Sequence, residues 1–288
     1  SWTDIERESG LTRASLEEAA GVIARARAVI GVYGMGLTQH RKGVQNVQMV
    51  SNLLLLGGHM GRPGAGILPV RGHSNVQGQR TVGITEKPEL APLDKLAELY
   101  GFEPPREKGL NTVEACEGVL DGSVKAFIGL GGNFVRAVPD TDRIEPAWRR
   151  LRLTVNVATK LNRSHLVHGE VAYLLPCLGR IEIDRQDGGE QMVSIEDSTG
   201  FMHASKGVAE PAASTLKSEP AIIAAIARAT LPPNARVPWD EWVADYAKVR
   251  DHIALALPEI FHDFNDRLKA PGGFRRPVAA CERQWKTE

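Results

Sequence analysis

The sequence predicts an α/β protein of mainly parallel sheet layers flanked by helices, and three observations carry that expectation. Short apolar and β-branched runs at residues 28–33, 124–129, 151–157 and 170–175 have the length and composition of buried strands. Stretches with helical spacing alternate with them, as in βαβ architectures. Glycines follow closely on two of the runs, as Gly34-Met35-Gly36 and Gly131-Gly132, where ligand-binding turns sit at strand carboxyl ends.

Each element has a local reason. Ser15-Leu-Glu-Glu18 reads as a capping box opening a helix in which Leu16, Ala19, Ala20 and Ile23 share one face. The run at 28–33 then reads as a buried strand, and a helix over 44–56 is stopped by Gly57-Gly58. A long polar loop is expected over 62–78. Helices are predicted at 90–100, 112–120 and 142–150, with Pro176 ending the strand at 170–175. Residues 179–211, rich in Gly, Asp and Gln, fit an ordered surface excursion. A helix at 221–229 follows, and Trp239, Trp242, Val243, Tyr246, Val249 and Ile253 form one apolar stripe that reads as core packing.

With 35 basic and 35 acidic residues the net charge is zero, which gives no support for a nucleic-acid or anionic-membrane role. The apolar runs fall short of the roughly 20 residues that span a bilayer. No signal peptide is visible, so a soluble cytoplasmic setting is expected. Cys116, Cys177 and Cys281 are widely separated without C-x-x-C spacing, so no iron–sulfur, zinc or disulfide framework is encoded. His165 and His168 have H-x-x-H spacing but lack a third ligand nearby in sequence, and the charged groups at Glu182, Asp184, Arg185 and Glu190 read as a hydrogen-bonded loop. The chain starts at Ser1 without methionine and ends in a polar segment, so both ends read as cut.

The densest chemistry lies in residues 62–78. Gly64, Gly66, Gly72 and Gly78 permit close backbone approach and positive φ, while Arg71, Asn75 and Gln77 supply donors and acceptors. The Arg71 guanidinium suits a carboxylate or other oxyanion, although an arginine in a loop also serves to pin it to a carboxylate. His73 suits proton transfer or an ordinary hydrogen bond. Gly131-Gly132-Asn133 suits a nucleotide or phosphate against the backbone, or a plain turn. Thr159, Lys160, Asn162 and Arg163 offer a hydroxyl, an amide and cations for a base and phosphate, or a solvated basic loop.

In order and spacing, residues 33–39 (Tyr-Gly-Met-Gly-Leu-Thr-Gln), the segment 69–86, Asn162-Arg163-Ser164-His165 and Leu174-Leu175-Pro176 resemble the molybdopterin oxidoreductases, in the branch of formate dehydrogenase alpha subunits. The resemblance runs from about residue 29 to the end of the chain. It implies parts of two related dinucleotide-binding-like lobes: residues 1–75 as the end of one lobe, 76–215 as a second that binds pterin guanine dinucleotide, and 216–288 as a helical closing segment. It further implies a fragment of a catalytic subunit that carries bis-molybdopterin guanine dinucleotide with molybdenum or tungsten and oxidises a small, formate-like substrate by two electrons.

By the same resemblance Arg71 orients the substrate beside the metal, and the chemistry of histidine makes His73 the second catalytic candidate. Gly34, Gly36, Gln39, Gly72, Asn75 and Gln77 line the pterin, and Gly131, Gly132, Asn133, Thr159, Lys160 and Asn162 hold the nucleotide arm. Two departures stand out: the family's Gly-Glu-Asn-Pro is Gly131-Gly132-Asn133-Phe134 here, and its acidic residue near Thr159 is missing. The family's metal-ligating cysteine or selenocysteine precedes this segment, so the chain alone is expected to be inactive and metal-free. The rest of the polypeptide and an electron-transfer partner are the implied partners. Two rivals stay open, a non-catalytic nucleotide-binding α/β module and a thiamine-diphosphate-type enzyme domain.

Overall fold

The computed structural model describes residues 1–277, so Cys281 lies outside the described residues. The chain divides into two units, Ser1–Val76 and Gln77–Glu288. Both carry parallel strands flanked by helices, and the fold class is α/β as the alternating pattern predicts.

In the first unit, helix α1 (Trp2–Ser9) is closed by a capping box between Ser1 and Asp4, and α2 (Arg13–Arg25) follows. The cap of α2 is Thr12, whose side chain accepts the Ser15 amide. The helix therefore starts before the expected Ser15 box, because the threonine three residues earlier already satisfies that donor. Strand β1 (Ile30–Tyr33) leads through a short α3 (Met35–Thr38) into α4 (Gly43–Leu56), and β2 (Gly66–Pro69) pairs with β1 in parallel. The loop expected over 62–78 thus contains a strand, which its glycines and prolines concealed.

Helix α4 covers one face of this sheet. A Cβ at Gly31 would lie 3.0 Å from Leu54 Cδ1 and 3.1 Å from Val50 Cγ1, so the absent side chain is what lets the helix close in. Leu54 is 1% exposed as a result. On the other face Ile30 and Val32 are 54% and 61% exposed, so β1 is covered on one side and is not the buried strand its composition suggested.

The second unit begins with α5 (Val76–Thr81), continues through α6 (Leu93–Tyr100) and α7 (Thr112–Asp121), and centres on a parallel sheet in the order β3 (Ala126–Leu130), β4 (Leu153–Ala158), β5 (Val171–Pro176). Pro176 is the last strand residue, where its missing N–H does no harm. Helices α8 (Phe134–Ala137) and α9 (Thr141–Trp148) connect β3 to β4. Val119, Val135, Ile144, Ala147, Trp148 and Leu151 form the main core cluster. The Trp148 ring lies 4.7 Å from Phe127 and 5.7 Å from Phe134 between centroids, which ties α9 to β3 and α8.

Residues 179–211 are more than an excursion. They hold two short antiparallel pairs: β6 (Arg185–Gln186) with β7 (Gly189–Glu190), and β8 (Val193–Glu196) with β9 (Phe201–Ser205). Glu182 accepts the amides of Gly179 and Ala212, and Arg185 pairs with Glu210 at 2.7 Å, so these charges hold loops as expected. Helix α10 (Glu219–Thr230) then packs Ile222 on Val157 and Cys177. Burial pushes the Cys177 thiol up to about 11, which makes it unreactive.

The Trp239 to Ile253 stripe splits into α11 (Trp239–Ala244) and α12 (Tyr246–Ala256). Asp245 breaks it by leaving helical geometry and accepting the Ala247 amide at 2.9 Å as the cap of α12. Short helices α13 (Pro258–Phe261) and α14 (Phe264–Arg267) and strand β10 (Phe274–Arg275), which pairs with β9, complete the unit. Among the described residues no helix is long and apolar enough to cross a membrane.

Candidate functional site

Two groups of predicted residues assemble at strand carboxyl ends, one in each unit. In the first unit the Val70 amide donates to Tyr33 O at 2.7 Å, so the turn after β1 and the loop after β2 meet. A Cβ at Gly34 would lie 3.7 Å from Val70 O, and one at Gly72 would lie 3.9 Å from Met35 Cγ. Gly34, Gly36, Arg71 and Gly72 are therefore neighbours at one sheet edge. Gln39 follows as the C-cap of α3 and is exposed.

Arg71 and His73 are exposed. Among the described residues Arg71 makes no hydrogen bond or ion pair, so it does not pin its loop. Asn75 is half-buried with φ +62, a conformation that asparagine tolerates better than most residues. Gly64 and Gly66 take positive φ as expected, whereas Gly72 and Gly78 do not, and Gly78 is buried inside α5.

In the second unit β3 and β4 run parallel, so the loops that leave them emerge at one edge. Asn162 Nδ2 donates to Gly132 O at 2.9 Å and joins the loops directly. Gly131 and Gly132 have φ of +70 and +75, and a Cβ at either would meet nothing within 4 Å. This turn is conformationally restricted and open to approach, which is the arrangement that lets a phosphate reach backbone amides. Asn133 follows at the N-cap of α8 with no side-chain capping bond.

Thr159 and Lys160 are exposed beyond β4, and among the described residues neither Lys160 nor Arg163 has an ion pair. Asn162 also accepts the Ser164 amide at 2.9 Å and receives support from His165, whose Nδ1 accepts the Asn162 amide at 3.2 Å. His168 Nδ1 meets Gly169 O at 2.8 Å, so both histidines serve local structure. Among the described residues no group of three or more His, Cys, Asp or Glu could hold a metal.

Two residues matter that the sequence reading passed over. Ser164 is 6% exposed and its Oγ is buried without a partner among the described residues, beside the Gly132–Asn162 junction. It lies within Asn162-Arg163-Ser164-His165, where the asparagine two residues before it is the local sequence signal for a turn. Glu196 is 3% exposed, and its carboxylate accepts from Gln77 Nε2 at 2.9 Å, from the Thr81 hydroxyl and from Arg276 Nε at 2.5 Å. Gln77 is thus oriented by a buried carboxylate far along the chain, a pairing with no local sequence signal.

The architecture is a parallel α/β one with glycine turns at strand ends. No protein-family profile matches the chain. It is 50% identical over 286 residues to Protein YdeP of Escherichia coli strain K12, covering 99% of this chain and 37% of that protein. It is 46% identical to the uncharacterized oxidoreductase Rv2900c of Mycobacterium tuberculosis strain H37Rv, over 93% of this chain and 34% of that protein. The putative formate dehydrogenase YrhE of Bacillus subtilis strain 168 is 34% identical over 44% of this chain and 14% of its own length. The chain thus spans little more than a third of the first two relatives, and the second of them is named as an oxidoreductase.

Proposed function

We propose that the chain is part of the catalytic subunit of a molybdenum or tungsten oxidoreductase that carries bis-molybdopterin guanine dinucleotide and oxidises a small anion such as formate. The observation that carries this reading is the strand-edge cradle of the second unit. Gly131 and Gly132 present an open, positive-φ turn, and among the described residues Lys160 and Arg163 have no ion pair and the buried Ser164 hydroxyl has no partner. These features fit a diphosphate and its nucleoside. Gly131, Gly132, Asn133, Thr159, Lys160 and Asn162 would hold that arm.

In the first unit Gly34, Gly36, Gln39, Gly72 and Asn75 would line the pterin, and Gln77 is a pterin-binding candidate of the second unit. When bound, the group supplies a redox metal that accepts two electrons, the step no side chain performs. The chain's own part is position and charge. Arg71, exposed and without an ion pair among the described residues, would present a permanent planar cation to orient a substrate carboxylate. His73, two residues on, would take or return a proton. Relatives named oxidoreductase and formate dehydrogenase support the reaction class.

Arg71→Lys in the full-length protein tests the assignment. It keeps the charge and loses the planar fork, so activity per bound metal should fall on the order of 100-fold with formate while metal content holds. Unchanged activity per metal makes Arg71 structural, and loss of metal moves it to cofactor binding.

A further inference from the structure

The second unit holds a cleft of about 990 Å³, built from α6, the segment 231–237, α11 and α12. That volume lies at the upper end of small-molecule sites, roughly 300–1,000 Å³. Its walls are rings. Trp242 stands edge-on to Tyr100 (5.9 Å, 84°), to Trp239 (5.6 Å, 79°) and to His252 (4.9 Å, 63°). A hydrogen bond of 3.0 Å between Tyr100 Oη and His252 Nδ1 locks two of these rings in place.

Phe102 and Leu231 on the lining are 45% and 55% exposed, and Trp242 Nε1 is buried without an acceptor among the described residues. The polar content is equally specific. Arg236 is the one permanently charged residue of the lining, and among the described residues it has no carboxylate partner. Its segment is fixed: the Arg236 amide donates to Asn234 Oδ1 at 2.9 Å, and Asn234 Nδ2 donates to Tyr100 O at 2.8 Å. The guanidinium lies over Gly101, where a Cβ would come within 3.1 Å of Arg236 Nη1. Perpendicular rings, an unsatisfied indole N–H and one uncompensated cation are together complementary to a flat, negatively charged ligand.

We propose that this cleft binds a small planar aromatic anion, an aryl carboxylate or sulfonate, between Tyr100, Trp239 and Trp242, with its charge on Arg236. The inference uses none of the strand-edge residues and stands apart from the redox reading. The test is calorimetric titration of the full-length protein with 2-naphthoate and, separately, with neutral 2-naphthalenemethanol. Naphthoate should bind with Kd on the order of 0.1 mM or tighter for a ligand of this size, and more tightly than the alcohol. Arg236→Gln should weaken naphthoate about tenfold and leave the alcohol unchanged, whereas Trp239→Ala should weaken both at least tenfold, each in variants whose melting matches wild type. Absence of naphthoate binding would overturn the proposal, with another part of the polypeptide or a packing role filling the cleft. Binding insensitive to both substitutions would overturn it by placing the ligand elsewhere, and equal affinity for acid and alcohol would overturn its anionic specificity.

Discussion

Replacing Glu196 with alanine should destabilise the second unit through one buried carboxylate. The Glu196 side chain is 0% exposed and receives Arg276 Nε at 2.5 Å, Gln77 Nε2 at 2.9 Å and the Thr81 hydroxyl. Removing one partner from a buried charged network costs about 3–5 kcal/mol, because the remaining groups lose their acceptor without regaining full hydration. The Arg276 side chain is 29% exposed and can recover some water, which argues for about 3 kcal/mol. For a unit of roughly 200 residues, each kcal/mol shifts the midpoint by about 2–4 °C, giving a drop of about 6–12 °C. Glu196→Gln keeps the volume and an acceptor but removes the charge opposite Arg276, so its drop should be about half as large. Differential scanning calorimetry of wild type and both variants reads this directly. A Glu196→Ala midpoint within about 2 °C of wild type would refute the argument that this carboxylate joins α5 to the β8–β9 hairpin.

Further outcomes follow from other sites. Gly132→Val forces a β-branched residue into φ +75 with nothing within 4 Å to clash, so the cost is backbone strain of about 1–2 kcal/mol, measurable by urea unfolding. Burial alone would push the Asp197 carboxyl up, but the bonds from His203, Thr199 and the Phe201 amide outweigh it and hold the pKa at about 2. A depressed folded pKa contributes stability that is complete above the ordinary value near 3.8 and is lost as pH falls towards 2. Asp197→Asn should therefore have a smaller fall in melting temperature than wild type between those pH values, and parallel curves would contradict the role. Trp148→Ala, at a ring packed on Phe127 and Phe134, should cost about 3–5 kcal/mol by the same urea assay.

Much of the layering was legible in the sequence because β3, β4, α7 and α9 carry local signals: apolar runs of strand length and amphipathic helices with polar entries. The misreadings have equally local causes. Thr12 took the cap assigned to Ser15 because either residue type suits that role, and the order of two hydroxyls does not decide between them. Strand β2 lay unseen in a glycine- and proline-rich loop because its pairing with β1 is non-local. Ile30 and Val32 looked buried because composition cannot tell a strand covered on both faces from one covered on a single face. The Trp239 stripe kept helical spacing through Asp245, whose capping geometry breaks the helix. At the candidate site, the glycine turns and Arg71 were visible as residue types, while the Glu196–Gln77 contact spans 119 positions and leaves no local pattern.

The central claim, that the full-length protein carries a metal–pterin cofactor, is tested most directly by assaying it for molybdenum, tungsten and pterin after expression with both metals supplied. The account predicts one molybdenum or tungsten and two pterin guanine dinucleotides per polypeptide, with the nucleotide content reduced in Gly132→Val. A purified, folded full-length protein with neither metal nor pterin would contradict it.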